Sequence, residues 1–313
     1  INRNVQKEKN YVFAAVNEAA ELLRMEEKEI LKSNFKITTF CNPTIQRYAE
    51  NAVKQAAAKT TSGKNAEKAI LIADNQTGGF LAAYGFGSGN IFENKRNIGS
   101  TAKPLAVYAP ALDRNLISAA SPILDEATDF GGYRPKNFGN VFHGWCTART
   151  ALKYSYNIPA VKTLNALQPK IALSYLNANG FEVTKEDNNL AIALGAFRNG
   201  ANLKQISQGY MTFANNGTFK KNSFVKKITD ANGYVLYEHP TAKSKVFKDS
   251  TAYIMTDILK DAVSDGTGKN LSLSLPIAGK TGTVGVSGSK ENLFNYFVSY
   301  STEHTVTTWI GAT

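Results

Sequence analysis

The hydrophobic positions in the first part of the chain follow two different periods. Over residues 10–31 apolar side chains recur every three or four positions, which is typical of a helix with one buried face. This stripe consists of Val12, Val16, Ala19 and Leu23. Residues 35–40 instead alternate between apolar and polar side chains, which predicts a strand.

A second helix is predicted to begin after Asn42. Asn42 suits a helix cap, and Pro43 suits the first turn because it has no N–H group to leave unpaired. The apolar stripe of this helix consists of Ile45, Ala49, Ala52 and Ala56. The polar stretch KTTSGKN at 59–65 follows the helix and predicts a linker.

Strand patterns then occur at two distant places. Residues 69–73 and 80–84 are short apolar runs joined by the turn-forming residues 74–79, which predicts a hairpin. Further strands are predicted over 277–284, 294–301 and 305–310. Helical spacing occurs between these two groups, over 102–113, 147–154, 159–167 and 201–214. We therefore predict an α+β fold, in which both ends of a domain build one sheet and the helices form a second lobe. The cleft between the two lobes is the expected site.

Charge and length restrict the possible functions. The chain has 313 residues and a formal net charge of +11, but its basic residues are scattered. Without a dense arginine block, a nucleic-acid partner is disfavoured relative to an anionic surface or a merely soluble basic face. No apolar stretch approaches the roughly 20 residues of a membrane span. Because the chain does not begin with methionine or a signal peptide, we expect a longer protein around it.

The two cysteines do not indicate a metal site. Cys41 and Cys146 form no C-x-x-C pattern, so two unpaired buried thiols are favoured over a disulfide. His143 lies three residues before Cys146, but nothing around this cysteine suggests a helix start that would stabilise a thiolate. A Cys–His nucleophile is therefore disfavoured, and no metal or cofactor is implied.

Three short motifs carry candidate chemistry, and each is weak alone. Ser-x-x-Lys begins at Ser33, Ser100, Ser223 and Ser287. Ser-x-Asn begins at Ser88 and Ser155, and Lys-Thr-Gly occurs once, at 280–282. The spacing does not distinguish these candidates, because the separation from Ser33 to Ser88 equals that from Ser100 to Ser155.

The neighbouring residues distinguish the candidate motifs from one another. Ser100 alone among the Ser-x-x-Lys candidates lies at the start of an apolar helix, in RNIGSTAKP. Ser155 lies between two predicted helices, in LKYSYNIPAV, whereas Ser88 lies in the glycine-rich loop GFGSGN. Lys280 follows Ala278 and Gly279 on a predicted strand, where small residues allow close approach of a backbone or a substrate.

Three motifs are selected in this way: Ser100-x-x-Lys103, Ser155-x-Asn157 and Lys280-Thr281-Gly282. Together they resemble the active-site triplet of penicillin-binding transpeptidases and serine β-lactamases. The wider chain is similar to the transpeptidase region of class A penicillin-binding proteins, through ITTFCNPTIQRYAENAV, ADNQTGGFLAAYG, YMTFANNGTF and PIAGKTGTV. The resemblance implies a β-lactamase/transpeptidase-like fold, with an antiparallel five-stranded sheet and an all-helical lobe. It divides the chain into a linker domain at 1–66 and a transpeptidase domain at 67–313. A glycosyltransferase domain and a membrane anchor would lie outside this chain.

The resemblance also implies roles for individual residues. Ser100 would be the nucleophile and Lys103 its base, provided that burial and the charge of Lys280 keep Lys103 neutral. Ser155 would bridge the two lysines and pass a proton to a leaving D-alanine. The backbone N–H groups of Ser100 and Thr283 would form the oxyanion hole. The remaining implied substrate contacts are Asn157, Thr281, Gly282 and Thr283, with Gly282 leaving room for a substrate strand.

The sequence also departs from the family pattern. Cys41-Asn42 stands where an aspartate usually precedes the proline, and Asn295-Tyr296 replaces the usual residues in the strand after Lys-Thr-Gly. The family's last helix, which usually covers the sheet, is expected to be missing after Thr313.

Several activities remain open at this point. The first is a D,D-transpeptidase that cross-links peptidoglycan from D-Ala-D-Ala donors to amine acceptors, is inhibited by β-lactams and acts outside the cytoplasm. Water as acceptor would make it a carboxypeptidase. A β-lactamase is disfavoured because Glu182 and Glu186 do not fit the deacylating E-x-x-L-N pattern. A β-lactam sensor without turnover would carry the same motifs.

Overall fold

The computed structural model describes residues 9–59, 66–86, 91–271, 273–285 and 292–311. Its helices are α1 Lys9–Leu23, α2 Glu27–Lys32, α3 Pro43–Lys59, α4 Ala109–Asp113, α5 Ala148–Lys153, α6 Asn157–Leu167, α7 Pro169–Ala178, α8 Leu203–Ala214 and α9 Asp249–Ser264. Its strands are β1 Lys36–Thr39, β2 Glu67–Asp74, β3 Phe80–Phe86, β4 Pro122–Asp125, β5 Gly144–Thr147, β6 Thr218–Lys220, β7 Val225–Thr229, β8 Val235–Glu238, β9 Lys243–Lys245, β10 Ala278–Gly285, β11 Asn292–Tyr300 and β12 His304–Gly311. Along this described part of the chain, none of the helices combines the length and hydrophobicity needed to cross a membrane.

A five-stranded antiparallel sheet forms the centre of the fold. Its strand order is β10-β11-β12-β2-β3, so strands from the end of the chain pair directly with the early hairpin. The junction is the pairing of β12 with β2, where Thr305 lies opposite Ala73. The predicted fold class and the assembly of the sheet from both ends are confirmed.

The sheet is covered on both faces, and β2 shows why. Its side chains alternate between the two faces because successive residues of a strand point in opposite directions. Leu71 lies in the main hydrophobic core, which also contains α8 and α9. Ile70 belongs to a second, smaller core, where it lies with Ala49 and Val53 of α3. A strand buried on both sides reads as a continuous apolar run, as AILIA does at 69–73.

The chain between β3 and β10 contains the predicted helices, together with the strand pairs β4–β5 and β6–β9 and with β7 and β8, which form a separate sheet with β1. The helices α5, α6 and α8 correspond to predicted segments, and the capped start of α3 is also confirmed, because Asn42 Oδ1 accepts bonds from the N–H groups of Thr44 and Ile45. The sequence analysis missed α7, α9 and the paired strands β4 and β5.

Two predicted helices are interrupted. The helix predicted over 10–31 ends at Leu23 and resumes at Glu27, because Arg24 has a φ of +54° that a helix does not tolerate. The helix predicted over 102–113 consists of a π-helix, Lys103–Tyr108, and α4, and a 3₁₀ turn, Gly99–Thr101, precedes it. Pro104 and Pro110 each lack the N–H group that a regular α-helix would use here.

The N-terminal segment packs directly against the rest of the chain. Tyr11 of α1 is buried and donates a hydrogen bond to the carbonyl of Phe80, at 2.5 Å. Strand β1 pairs with β7, so the first 40 residues contribute to a small sheet with β7 and β8. The division of the chain at residue 66 stays a prediction. Of the predicted linker, residues 60–65 lie outside the described residues.

Candidate active site

The segment before Lys103 places Ser100 in a tight turn against the edge strand β10. Gly99 has a φ of +56°, which glycine adopts without strain. A side chain at position 99 would lie 2.5 Å from the carbonyl oxygen of Thr283. Glycine is therefore required at this position for two reasons, its positive φ and its missing side chain. As a result, the backbones that carry Ser100 and Thr283 lie close together.

Lys103 is fully buried one turn after Ser100. Its ammonium group donates hydrogen bonds to the carbonyl of Ser155 at 2.5 Å, to the Ser155 hydroxyl at 3.2 Å and to Asn157 Oδ1 at 2.6 Å. Among the described residues, no hydrogen bond joins Lys103 Nζ to Ser100 Oγ. The amine is held by the 155–157 turn, and the role of Lys103 as the base of Ser100 stays a prediction.

Burial controls the protonation of both lysines. Desolvation lowers the pKa of Lys103 well below its usual value, and the positive charge of Lys280 lowers it further. Desolvation also lowers the pKa of Lys280, to about 7. Both causes predicted for Lys103 are therefore present.

The Ser155 hydroxyl lies between the two ammonium groups. Lys280 Nζ is 2.8 Å from Ser155 Oγ, and Lys103 Nζ approaches the same oxygen from the other side, at 3.2 Å. Ser155 has a φ of +62°, an uncommon conformation for a residue other than glycine. Such a conformation persists only where the surroundings enforce it, and here it aims one hydroxyl at two amines.

Strand β10 holds Lys280 and the predicted substrate contacts at the edge of the sheet. Lys280 also donates a hydrogen bond to the carbonyl of Thr281 at 2.9 Å, while the Thr281 hydroxyl donates to Thr267 Oγ1 at 2.7 Å. Thr283 is exposed, two residues along the same face of the strand. An edge strand presents unpaired backbone groups to which another extended chain can bind.

Gly282 faces the turn Gly99–Thr101, which carries Ser100. A side chain at position 282 would lie 2.6 Å from Thr101 Cγ2 and 2.8 Å from the carbonyl oxygen of Ile98. The missing side chain therefore makes room for the turn that carries Ser100, and not for a substrate strand as the sequence suggested.

Asn157 begins α6 and is held on both sides. Its amide nitrogen donates to the carbonyl of Lys136 at 2.7 Å, and its amide oxygen accepts the bond from Lys103. Asn137 Oδ1 accepts from the backbone N–H of Asn157, at 2.7 Å. Lys136 and Asn137 were missed by the sequence analysis, because one asparagine in an irregular loop carries no local signal.

The other serine candidates lie elsewhere. Ser33 ends α2 and donates to the carbonyl of Ile30, and Ser223 is buried and donates to the Glu18 carboxylate. Ser88 and Ser287 lie outside the described residues.

The cysteines do not form a second nucleophilic site. Cys41 and Cys146, both within the described ranges, form no disulfide, and each is half-buried. A helix, α5, begins two residues after Cys146, contrary to the sequence expectation, but burial raises the pKa of the Cys146 thiol, and the charge of Asp125 raises it further. His143 Nδ1 lies 2.8 Å from Asp125 Oδ2, so the carboxylate is its partner. Within the ranges that the structure describes, no group of three His, Cys, Asp or Glu side chains could hold a metal ion.

A cavity of about 570 Å³ lies beside the 155–157 turn. Its lining consists of Pro122, His143, Trp145, Cys146, Thr147, Thr150 and Tyr156. The ring of Tyr156 stacks on that of His143, with centroids 3.9 Å apart and planes 9° apart. The structure thus places Ser100, Lys103, Ser155, Asn157, Lys280 and β10 around one site, with an aromatic wall next to it.

Comparison with known proteins gives a family context for this geometry. The family model described as penicillin binding protein transpeptidase domain matches residues 68–313. Penicillin-binding protein 1F of Bacillus subtilis (strain 168) is 32% identical over 313 residues, which covers 96% of this chain and 43% of that protein. Penicillin-binding protein 1A/1B of the same organism is 32% identical over 232 residues, covering 70% of this chain and 25% of that protein. The chain spans less than half the length of these relatives.

Solved structures share the fold. The penicillin-binding protein PonA1 from Mycobacterium tuberculosis matches with a TM-score of 0.86 at 21% identity, over 97% of this chain and 84% of that chain. PonA1 in complex with penicillin V matches with a TM-score of 0.82 at 22% identity, over 98% of this chain and 85% of that chain.

Proposed function

The chain belongs to the family of penicillin-binding protein transpeptidase domains, and we propose that it cross-links peptidoglycan stem peptides as a serine D,D-transpeptidase. The observation that carries this proposal is that the Ser155 hydroxyl lies within hydrogen-bond distance of the amines of both Lys103 and Lys280. Lys103 in turn lies one helical turn after Ser100. A hydroxyl between two buried amines provides a proton path, and a buried amine with a lowered pKa can act as a base at neutral pH.

Acylation begins when the Ser100 oxygen attacks the carbonyl carbon of the penultimate D-alanine. Neutral Lys103 accepts the hydroxyl proton as the new C–O bond forms. The position of its amine, which bonds to Ser155 and Asn157 in this structure, requires a small shift toward Ser100 when substrate binds. Hydrogen bonds of catalytic groups often become optimal only in the substrate complex.

The oxyanion would be stabilised by the backbone N–H groups of Ser100 and Thr283. The close approach of Gly99 to the Thr283 backbone supports this pairing, because a side-chain carbon at position 99 would lie 3.0 Å from the backbone nitrogen of Thr283. Thr281 and Thr283 provide hydroxyl groups for the substrate carboxylate, next to the positive charge of Lys280.

Expulsion of the leaving group requires a proton. Ser155 donates its proton to the nitrogen of the departing D-alanine as the C–N bond breaks, and Lys103 returns the proton taken from Ser100. The amine of a second stem peptide then attacks the Ser100 ester. The new C–N bond forms the cross-link, the C–O bond to Ser100 breaks, and the proton lost by the amine passes through Lys103 to the Ser100 oxygen, which regenerates the hydroxyl. β-Lactams acylate the same serine, but their leaving nitrogen stays attached to the acyl group.

A long-lived β-lactam adduct is expected, which argues against a β-lactamase. Glu182 is exposed and pairs with Lys95, and Glu186 is also exposed. Asp187 is buried, but its carboxylate accepts hydrogen bonds from Thr184 and from the N–H of Arg198. The partners of Glu182 and Asp187 are thus structural.

The partners and location follow from the proposed reaction. They are stem-peptide donors ending in D-Ala-D-Ala, amine-bearing acceptor stems, and β-lactams. The reaction belongs to the outer surface of the bacterial cell membrane, and we place the membrane anchor and a glycosyltransferase domain in the longer protein.

Turnover with a defined donor tests the proposal. The native chain and Ser100→Ala are incubated with a thioester analogue of the D-Ala-D-Ala stem, with and without an amine acceptor. Acceptor-dependent product from the native chain alone is expected. Hydrolysis that ignores the acceptor would indicate a carboxypeptidase, and a stable β-lactam adduct without any turnover would indicate a sensor.

A further inference from the structure

A buried carboxylate lies behind the site, and the chemistry above does not use it. Asp125 ends β4 and is 1% exposed. Its oxygens accept a hydrogen bond from the backbone N–H of His143 at 3.0 Å and from His143 Nδ1 at 2.8 Å. The amide nitrogen of Asn137 lies 2.8 Å from both carboxylate oxygens. A buried carboxylate is costly unless its partners are fixed in this manner.

The carboxylate determines the orientation of the Asn137 amide. Because Asn137 Nδ2 donates to Asp125 and to the carbonyl of Val141, its Oδ1 must face the opposite side. On that side Oδ1 accepts from the N–H groups of Asn157 at 2.7 Å and Ile158 at 3.2 Å. Asn137 therefore caps α6 from a separate loop.

This distant cap replaces a missing local one. The residue before α6 is Tyr156, whose side chain makes no capping hydrogen bond. Helices usually begin after serine, threonine, aspartate or asparagine, which satisfy the free N–H groups of the first turn. The exact placement of the first turn of α6 thus depends on a residue 20 positions earlier.

The same loop determines the orientation of the Asn157 side chain. The carbonyl of Lys136 accepts from Asn157 Nδ2, so Asn157 Oδ1 must point away from that loop. It points to the ammonium group of Lys103, at 2.6 Å. Two neighbouring loop residues therefore bind Asn157, which bonds to Lys103: Asn137 accepts from its backbone and Lys136 from its side chain.

A second connection leads from the carboxylate to the same turn. The ring of His143, held by Asp125, stacks on Tyr156. Tyr156 stands between Ser155 and Asn157, the two residues that bond to Lys103. Both connections from Asp125 thus end on one tripeptide.

We propose that Asn137, oriented by Asp125, is a positioning residue for acylation, because it fixes the 155–157 turn and through it the amine of Lys103. This inference rests on the proposed function. Asn137 touches neither the nucleophile nor the second lysine, and acts through Asn157.

The positioning role predicts a change in the pH profile that a purely structural role would not cause. The charged group facing Lys103 is Lys280 of β10, and the groups facing it from the 155–157 turn are neutral acceptors. An acceptor bond favours the ammonium form, so the loss of a well-placed Asn157 lowers the pKa of Lys103 further. The acid limb of the acylation rate should then shift to lower pH.

The test compares two asparagine caps. Asn137→Ala removes the cap of α6, and Asn42→Ala removes the cap of α3, in which Asn42 Oδ1 likewise accepts from two backbone N–H groups. Acylation of each full chain by benzylpenicillin is followed from pH 5 to 9, and its first-order step is separated from initial binding. We expect Asn137→Ala to slow this step on the order of 10²-fold and to shift its acid limb, because small misplacements of a reacting group cost about that much. Asn42→Ala should remain within about twofold of the native rate, since a cap affects mainly stability.

Asp125→Asn provides a second variant, in case Asn137→Ala does not fold. The asparagine side chain has the same shape as the aspartate that it replaces. It removes the charge that orients Asn137, and we expect a loss on the order of tenfold in the same step. Native rates and an unshifted acid limb in a folded variant would overturn the inference, as would equal losses in Asn42→Ala. If the native chain is not labelled at Ser100, the proposed function fails instead, so the two failures are distinguishable.

Discussion

Two buried lysines that share one hydroxyl define the proposed chemistry at the scale of single residues. Desolvation lowers the pKa of both amines, and each amine also repels the charge of the other. The Ser155 hydroxyl lies within hydrogen-bond distance of both amines. The arrangement therefore allows one amine to be neutral at pH 7 while the other supplies positive charge.

Lys103→Ala should slow acylation by benzylpenicillin on the order of 10²-fold or more, because it removes the proposed general base. The measurement is the rate constant of labelling across pH, with Lys54→Ala as the control, since Lys54 lies on α3, where it pairs with Glu50 and lies over the ring of Tyr84. If Lys103→Ala were labelled at the native rate, the role of base would belong to another residue.

Local sequence identified the residues that we propose touch the reacting atoms, but not those behind them. Ser100, Lys103, Ser155 and Lys280 occur in short motifs whose neighbours distinguish them from other copies. Asn137 contacts Asn157 across 20 residues of chain, and nothing near Asn137 in the sequence indicates that contact. Only folding brings the β4 end, the loop and the start of α6 together.

At the scale of elements, the site depends on how the nucleophile segment packs against β10. The 3₁₀ turn Gly99–Thr101 lies on the inner face of this strand, where Gly282 leaves space for it. The π-helix that follows widens the backbone at Lys103, and π-type turns are often found at functional sites. Sequence periodicity predicted one regular helix over 102–113, because the apolar spacing of 3₁₀, π and α segments differs too little over so short a stretch.

Gly282→Ala should separate β10 from the nucleophile turn. The new methyl group would lie 2.6 Å from Thr101 Cγ2, and overpacking of this kind typically costs about 1–3 kcal/mol of stability. We expect reduced stability together with much slower acylation, measured by denaturation and by labelling rate.

Gly279→Ala is the matched control for this change. It lies on the opposite face of the same strand, where an added methyl group meets Val263 of α9 at 3.1 Å. It should lower stability with a smaller effect on acylation. Equal acylation rates in the two variants would contradict the proposed role of the contact between Gly282 and the turn.

For the whole molecule, the sheet links distant parts of the chain into one core. The sequence predicted all five of its strands, of which the two early ones are apolar runs joined by turn residues. It did not predict how α1 packs, where the buried carboxylate of Glu18 accepts hydrogen bonds from Ser223 and from the N–H group of Phe224. Hydrophobic periodicity shows which face of a helix is buried, but not which partner buries it.

The buried lysines should also make the stability of the whole molecule depend on pH. The pKa of Lys280 is about 7 in the folded chain and about 10.4 in an unfolded one. Above pH 7 the unfolded chain binds more protons, so the free energy of unfolding should rise between pH 7 and 9, by up to about 1.4 kcal/mol per pH unit for such a group. Denaturant titrations at several pH values measure this slope, which Lys280→Met should reduce. A flat profile in the native chain would contradict the burial of a titrating amine.

The most direct test of the central claim is intact mass measurement after incubation with benzylpenicillin, followed for hours on the native chain and on Ser100→Ala. One stable adduct on the native chain and none on Ser100→Ala is the predicted result. A transient adduct with hydrolysed drug would indicate a β-lactamase. Equal labelling of Ser100→Ala, or no adduct on the native chain, would contradict the assignment of Ser100 as the nucleophile.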